Sequence, residues 1–88
     1  MKVLVVDDEA PARERLVRLV NELDDCEVVG QAGNGAEAIR AVERTGADVV
    51  LLDVRMPGMD GFAVLDALRA LPPPACHLPV LALTADLL

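Results

Sequence analysis

Runs of four apolar residues with no polar interruption mark Val3-Leu4-Val5-Val6, Val49-Val50-Leu51-Leu52 and Val80-Leu81-Ala82-Leu83. Short branched-aliphatic runs of this kind read as strands buried on both faces. Glu27-Val28-Val29-Gly30-Gln31-Ala32 is more polar, with β-branched residues in its middle, and reads as an edge strand. Between these runs the apolar spacing turns helical. Ala10-Pro11 opens a helix with proline in the first turn, where its missing N–H costs nothing. Ala12, Leu16, Val17, Leu19, Val20 and Leu23 form the apolar side of that helix and Arg13, Glu14, Arg15 and Arg18 the charged side, so it is predicted to run to about Asp24. Gly33-Asn34-Gly35 makes a turn, Asn34 and Glu37 stand at capping-box spacing, and Ala38, Ile39 and Val42 continue a second helix that stops at Gly46. A third helix begins at Asp60-Gly61, carries Phe62, Leu65, Leu68 and Leu71, and ends at Pro72-Pro73-Pro74. Strands alternating with helices predict an α/β fold, a parallel sheet joined by right-handed crossovers.

Composition narrows the picture. The 88 residues fit one domain, with neither an internal repeat nor an interdomain linker. Hydrophobic residues make up 53% but aromatics only 1%, the one example being Phe62, so the core is built from Val, Leu, Ile and Ala. Eight basic residues against 15 acidic give a net charge of -7, which argues against a nucleic-acid footprint and for attraction of cations. Cys26 and Cys76 are too few for a disulfide framework, and Cys76-His77 lacks the ligand count and spacing of a zinc site. The apolar run after Met1-Lys2 is too short for a signal peptide or a membrane span. A soluble, cytoplasmic protein with no membrane partner is expected.

The chemistry sits where the strands run out. Asp7-Asp8-Glu9 follows the first strand, Asp53 ends the central one, and Thr84 follows the last. In an open parallel sheet a site forms beyond the carboxyl ends of the strands, where the strand order reverses. Three acidic side chains gathered there are costly unless a cation joins them, and an oxygen-only set with few carboxylates favours Mg²⁺ over zinc. Magnesium keeps water positions open for phosphate oxygens, and phosphoryl transfer needs mainly positioning and charge neutralisation, which leaves Asp53 as the nucleophile. Thr84 is placed to donate its hydroxyl to a phosphoryl oxygen. Beyond Asp53, Pro57 fixes φ and Gly58 admits positive φ, so the chain turns sharply. The bland alternative is that Asp53 only ends a strand and begins a turn. His77, in a proline-rich loop, reads as solvated, and Arg13, Arg15 and Arg18 read as a solvated helix face rather than a docking patch.

Together Val5-Val6-Asp7-Asp8-Glu9, Leu51-Leu52-Asp53-Val54-Arg55-Met56-Pro57-Gly58-Met59-Asp60-Gly61 and Ala82-Leu83-Thr84-Ala85 resemble the receiver domain of bacterial two-component response regulators. The resemblance implies a flavodoxin-like, CheY-like sheet with strand order 2-1-3-4-5 and helices on both faces. It also implies phosphorylation of Asp53 by a histidine kinase or phosphotransfer protein. Asp7, Asp8, Asp53 and the backbone carbonyl of Arg55 would bind Mg²⁺, and Thr84 would contact the phosphoryl group and switch. Arg55, Met56, Pro57, Gly58 and Ala85 would modulate, with Arg55 tuning the lifetime of the phosphate. Asp7-Asp8-Glu9-Ala10-Pro11-Ala12-Arg13-Glu14-Arg15-Leu16 is also similar to receivers that precede LytTR-type DNA-binding domains, which places transcription regulation among the expected outputs.

The chain departs from that family after Thr84-Ala85. Receivers continue through a further helix, a fifth strand ending in a phosphate-binding lysine, and a last helix, whereas residues 1–88 read as a partial receiver ending after the fourth strand. The lysine has no counterpart, since Lys2 is the only one and no arginine follows Arg69. Two rival readings stand beside the phospho-acceptor: a Mg²⁺-binding interaction module that is never phosphorylated, and an aspartyl-phosphate hydrolase. Against the hydrolase, Arg55 stands two residues after Asp53 where a second acid would serve as general acid/base, so a signalling module rather than a metabolic enzyme is expected. An uncharged fourth strand left at a sheet edge predicts a homodimer or larger assembly.

Overall fold

A computed structural model describes residues 1–53, 55–56 and 59–83 of the chain. The expectations on Pro57, Gly58, Thr84 and Ala85, and on the side chains of Arg55 and Met56, lie outside the described residues. In chain order the elements are β1 (Lys2–Val6), α1 (Ala10–Asn21), β2 (Glu27–Ala32), α2 (Gly35–Thr45), β3 (Val49–Asp53), the two-residue strands β4 (Arg55–Met56) and β5 (Met59–Asp60), α3 (Gly61–Arg69), a 3₁₀ turn (Ala75–His77) and β6 (Val80–Leu83). Four strands form one parallel sheet in the order β2-β1-β3-β6, and β4 pairs with β5 as a small antiparallel ribbon. The predicted α/β, flavodoxin-like order is therefore present through its first four strands. The chain leaves β1 to one side for β2 and crosses back to β3 on the other, so the order reverses between β1 and β3.

Alternation along the strands divides the core in two. Leu4 and Val6 of β1, with Val50 and Leu52 of β3, face α2 and α3, where they meet Ala38, Ala41, Val42, Val64 and Leu68. Val3 and Val5, with Val49, face α1 through Leu16 and Val20. Branched aliphatics every second residue meet helix stripes every third or fourth, which is why these sequences hold their elements.

The helix ends follow local chemistry. Asn34 is extended, its side chain accepts the Glu37 N–H at 2.9 Å, and its amide donates to Glu37 Oε1 at 2.9 Å, so the predicted start of α2 stands. Gly46, at φ 63°, ψ 35°, ends α2 in the left-handed region that favours glycine. Helix α1 is shorter than predicted. It closes at Asn21, whose side-chain oxygen accepts the Val28 N–H of β2 at 3.4 Å, and Leu23 N–H bonds back to the Val20 carbonyl. An asparagine that finds a backbone donor outside the helix competes with helix continuation.

Two sets of predicted core positions fall outside the core. Leu19 and Leu23 are 56% and 57% exposed, because the seam of α1 against the sheet runs through Leu16 and Val20, with Val17 at its edge. Phe62 is 64% exposed: the buried stripe of α3 is Gly61, Val64 and Leu68, and the residue after Gly61 points about 100° away from it. Leu71 lies beyond the end of α3 and packs against the core edge. The three prolines end α3 as predicted but lead into the 3₁₀ turn, which Arg69 secures by donating to the carbonyls of Cys76 (3.1 Å) and Leu78 (2.6 Å). Prolines donate no N–H, so an arginine reaching back from the helix supplies the tie that delivers the chain into β6.

Candidate functional site

The carboxyl ends of β1 and β3 lie side by side. Val6 is registered with Leu52 across the β1–β3 pair and with Ala32 across the β1–β2 pair. Asp7, the next residue, continues the β2 ladder by donating its N–H to the Ala32 carbonyl at 3.0 Å. Asp53 closes β3 and is registered with Leu83, the residue before Thr84 in sequence. Three residues singled out in the sequence, Asp7, Asp8 and Asp53, are thereby brought to one end of the sheet. Thr84 and Ala85 fall outside the described residues, and of Arg55 the structure describes a place in β4.

Asp7 is the buried acid of the site, only 3% exposed. Its Oδ1 accepts the Glu9 N–H at 2.9 Å, holding the turn into α1. Glu9, the extended residue before α1, makes no side-chain cap of its own, so the carboxylate of Asp7 does part of that work. Burial pushes the Asp7 carboxyl above its ordinary value of 3.8, and the negative charges of Asp53, Asp8 and Glu9 push the same way, against the lowering effect of the Glu9 N–H. An acid so placed is one whose negative form the fold disfavours and a neighbouring cation would favour. Asp8 and Asp53 are half-buried, and the Oδ1 of Asp8 is itself a buried atom.

Among the described residues, no three Asp, Glu, His or Cys side chains form a group that could hold a metal ion. The side chains therefore do not make a closed cage of the kind calcium or structural zinc takes. Magnesium asks for less: one or two carboxylates, with water and phosphate oxygens completing its octahedron. The donor set of Asp7, Asp8 and Asp53, all oxygen and half-buried or deeper, fits that habit and no softer metal.

A neighbouring arginine departs from the solvated face that the sequence predicts. Arg13, assigned there to a solvated face, is half-buried. Its Nη1 donates to the backbone carbonyl of Asp7 at 2.7 Å and its Nε to Gln31 Oε1 at 3.2 Å. The spacing of Arg13 one turn into the first helix, directly after an acidic strand end, was the available signal. His77 is exposed, in line with its bland reading, and both cysteines are free and half-buried. Among the described residues no helix is long and apolar enough to cross a membrane.

Known proteins share this fold. The family model described as "Response regulator receiver domain" matches residues 3–87. The positive alginate biosynthesis regulatory protein of Pseudomonas aeruginosa is 51% identical over 76 residues, 83% of this chain and 31% of that protein. The chain thus spans about a third of that relative's length. The crystal structure of the response regulator domain of Thermotoga maritima CheB superposes with a TM-score of 0.83 at 30% identity, covering 97% of this chain and 60% of that one. A chain in the crystal structure of the P1 domain of CheA3 in complex with CheY6 from R. sphaeroides gives a TM-score of 0.77 at 32% identity, covering 96% of this chain and 63% of that one. With the family model spanning nearly the whole sequence and the sheet order matching, the chain belongs to the response regulator receiver domains of two-component systems.

Proposed function

We propose that this chain is a phospho-acceptor receiver, with Asp53 as the acceptor and Asp7, Asp8, Asp53 and the Arg55 carbonyl as the residues that would hold Mg²⁺. The observation that carries the reading is the gathering of Asp7, Asp8 and Asp53 at the reversal of strand order, with Asp7 buried and held against charge by its neighbours. A carboxylate oxygen of Asp53 attacks the phosphorus of a phosphoryl donor, the O–P bond forms, and the donor's P–N bond breaks to release its imidazole. Bound Mg²⁺ would supply neutralisation of the charge gathered on the carboxylates and the phosphoryl oxygens. Asp7 keeps the turn into α1 in place through Glu9, and Asp8 follows it at the mouth of the site. Thr84, one residue past the partner of Asp53 in β6, is the proposed phosphoryl contact and switch. The modulating roles proposed for Arg55, Met56, Pro57, Gly58 and Ala85 rest on their positions in the matching motifs.

The donor proposed is a histidine kinase or phosphotransfer protein, as in the CheA3–CheY6 complex, in the cytoplasm, and the output proposed is transcription regulation, as the alginate regulator suggests. The domain's own role is acceptance of a signal rather than turnover of a metabolite. Self-association is also proposed: β6 is an outer strand among the described residues, and Leu81 on it is 56% exposed. Sedimentation across micromolar concentrations should show a dimer or larger species, and a single concentration-independent monomer would remove this element.

The decisive test is intact mass after incubation with acetyl phosphate and Mg²⁺. One phosphoryl group should be added, and Asp53→Asn should abolish it. Mg²⁺ binding without any mass shift would favour the unphosphorylated interaction module, and a shift that survives Asp53→Asn would sink the assignment of the acceptor.

A further inference from the structure

The sharpest unassigned feature of the molecule is the way the main chain of Asp7 is held from two sides. Its N–H is spent on the Ala32 carbonyl of β2 at 3.0 Å, and its carbonyl receives Arg13 Nη1 at 2.7 Å. The same guanidinium donates through Nε to Gln31 of β2, so one planar fork joins α1, the end of β1 and the end of β2. The backbone N–H of Arg13 also bonds the Glu9 carbonyl at 2.9 Å, the first link of α1. Gly33 leaves room for this fork: a Cβ there would stand 3.3 Å from Arg13 Nη1 and 4.0 Å from the Asp7 carbonyl oxygen. Every contact of Arg13 in this clamp ends on the turn that carries Asp7, Asp8 and Glu9, or on the strand beside it.

We propose that Arg13 is a positioning residue for the metal-binding turn, fixing the backbone of Asp7 so that Asp8 is presented toward Asp53. The proposal rests on the phospho-acceptor reading above and adds to it a residue that touches neither phosphoryl group nor metal. Its sign separates it from a simple charge effect. A cation beside a cation site repels Mg²⁺, so if Arg13 acted only by charge, neutralising it would tighten Mg²⁺ binding. If it acts by position, neutralising it loosens the turn and weakens binding, as loss of a group that orients metal ligands does, by about tenfold or more.

Mg²⁺ titration of the full chain by calorimetry, with acetyl phosphate labelling followed by intact mass, tests this. Arg13→Gln is expected to weaken the Mg²⁺ Kd about tenfold while the labelling rate recovers toward wild type at saturating Mg²⁺. Arg13→Lys, which keeps the charge but loses the fork, is expected to weaken it in the same direction. Gln31→Ala, which removes only the Nε partner, should give a smaller loss of the same sign, and it carries the test if Arg13→Gln does not fold. A Kd unchanged or tightened in the folded variants overturns the proposal and leaves the phospho-acceptor reading intact. Wild-type protein that neither binds Mg²⁺ nor accepts a phosphoryl group overturns both.

Discussion

The two faces of the sheet are covered unequally. On the side of α2 and α3, Leu4, Val6, Ala38, Val50, Leu52 and Leu68 are all fully buried. On the side of α1 only Val5 is, and Leu19 and Leu23 of that helix stand in solvent. One face is a packed interior, and the other, among the described residues, is one helix laid across the strands. The carboxylates at the sheet end are common to both, so the packed face fixes where β1 and β3 end. The lighter face, through α1, carries the groups that touch Asp7.

Adjacent residues of β3 make the largest test. Leu52 faces the packed side and Leu51 the lighter side, where it is half-buried. Leu52→Ala should cost about 2 to 5 kcal/mol and Leu51→Ala about 1 to 2, measured by urea unfolding. Equal losses at both positions would break the comparison. Because whole domains are held by about 5 to 15 kcal/mol, the first variant should show a visible unfolded fraction well before the second.

Next comes Asp7. Its folded-state carboxyl titrates above the unfolded value, so the folded protein binds the proton more tightly, and ionisation at neutral pH opposes folding. Stability is therefore gained as pH falls through the raised value and levels off below 3.8. Asp7→Asn keeps an oxygen to accept the Glu9 N–H without the charge, so it should raise the melting temperature of the metal-free protein at pH 7, with the gain shrinking as pH falls. Asp7→Ala, which also loses the acceptor, should gain less. A gain that persists unchanged at low pH would mean charge is not its source.

The caps sharpen the contrast further. Asn34→Ala removes the side-chain cap of α2 and should cost about 1 kcal/mol, while Glu9→Ala at the start of α1, where no side-chain cap is made, should cost far less. The smallest effect is expected at the solvent side of α1: Leu19→Gln should move stability by no more than about 0.5 kcal/mol, read from the same urea curves.

Much of this was legible along the chain because it depends on near neighbours. Uninterrupted aliphatic runs mark three of the four long strands and β-branched residues within a more polar stretch mark β2, while Asn34 with Glu37 marks the start of α2 and Gly46 its end. The meeting of Asp7 with Asp53 followed from topology, since parallel strands place their carboxyl ends together. What escaped depends on partners distant in sequence. The apolar spacing of α1 includes Leu19 and Leu23 as readily as Leu16 and Val20, and only the seam against the sheet selects between them. Phe62 belongs to the apolar set of α3 by residue type, but its angle around the helix turns it outward. Arg13 reads as solvated in the sequence because its acceptors, a backbone carbonyl and a glutamine 18 residues away, leave no trace in local pattern. The β4–β5 ribbon and the 3₁₀ turn rest on too few residues to produce a period.

The place of β1 has a consequence for how the molecule comes together. It is the first strand of the sequence, yet it lies inside the sheet, bonded to β2 on one side and β3 on the other. Its partners arrive late: Lys2 lines up with Glu27, and its N–H donates to Asp48 across 46 residues. None of the four long strands is joined to its neighbour by a tight hairpin, so each pairing closes a loop containing a helix before its contacts can repay the lost freedom. Folding should therefore be limited by docking β3 onto β1 rather than by forming any helix. Mutations such as Val5→Ala and Val50→Ala should slow refolding, whereas truncations on the outer side of α1 should chiefly speed unfolding.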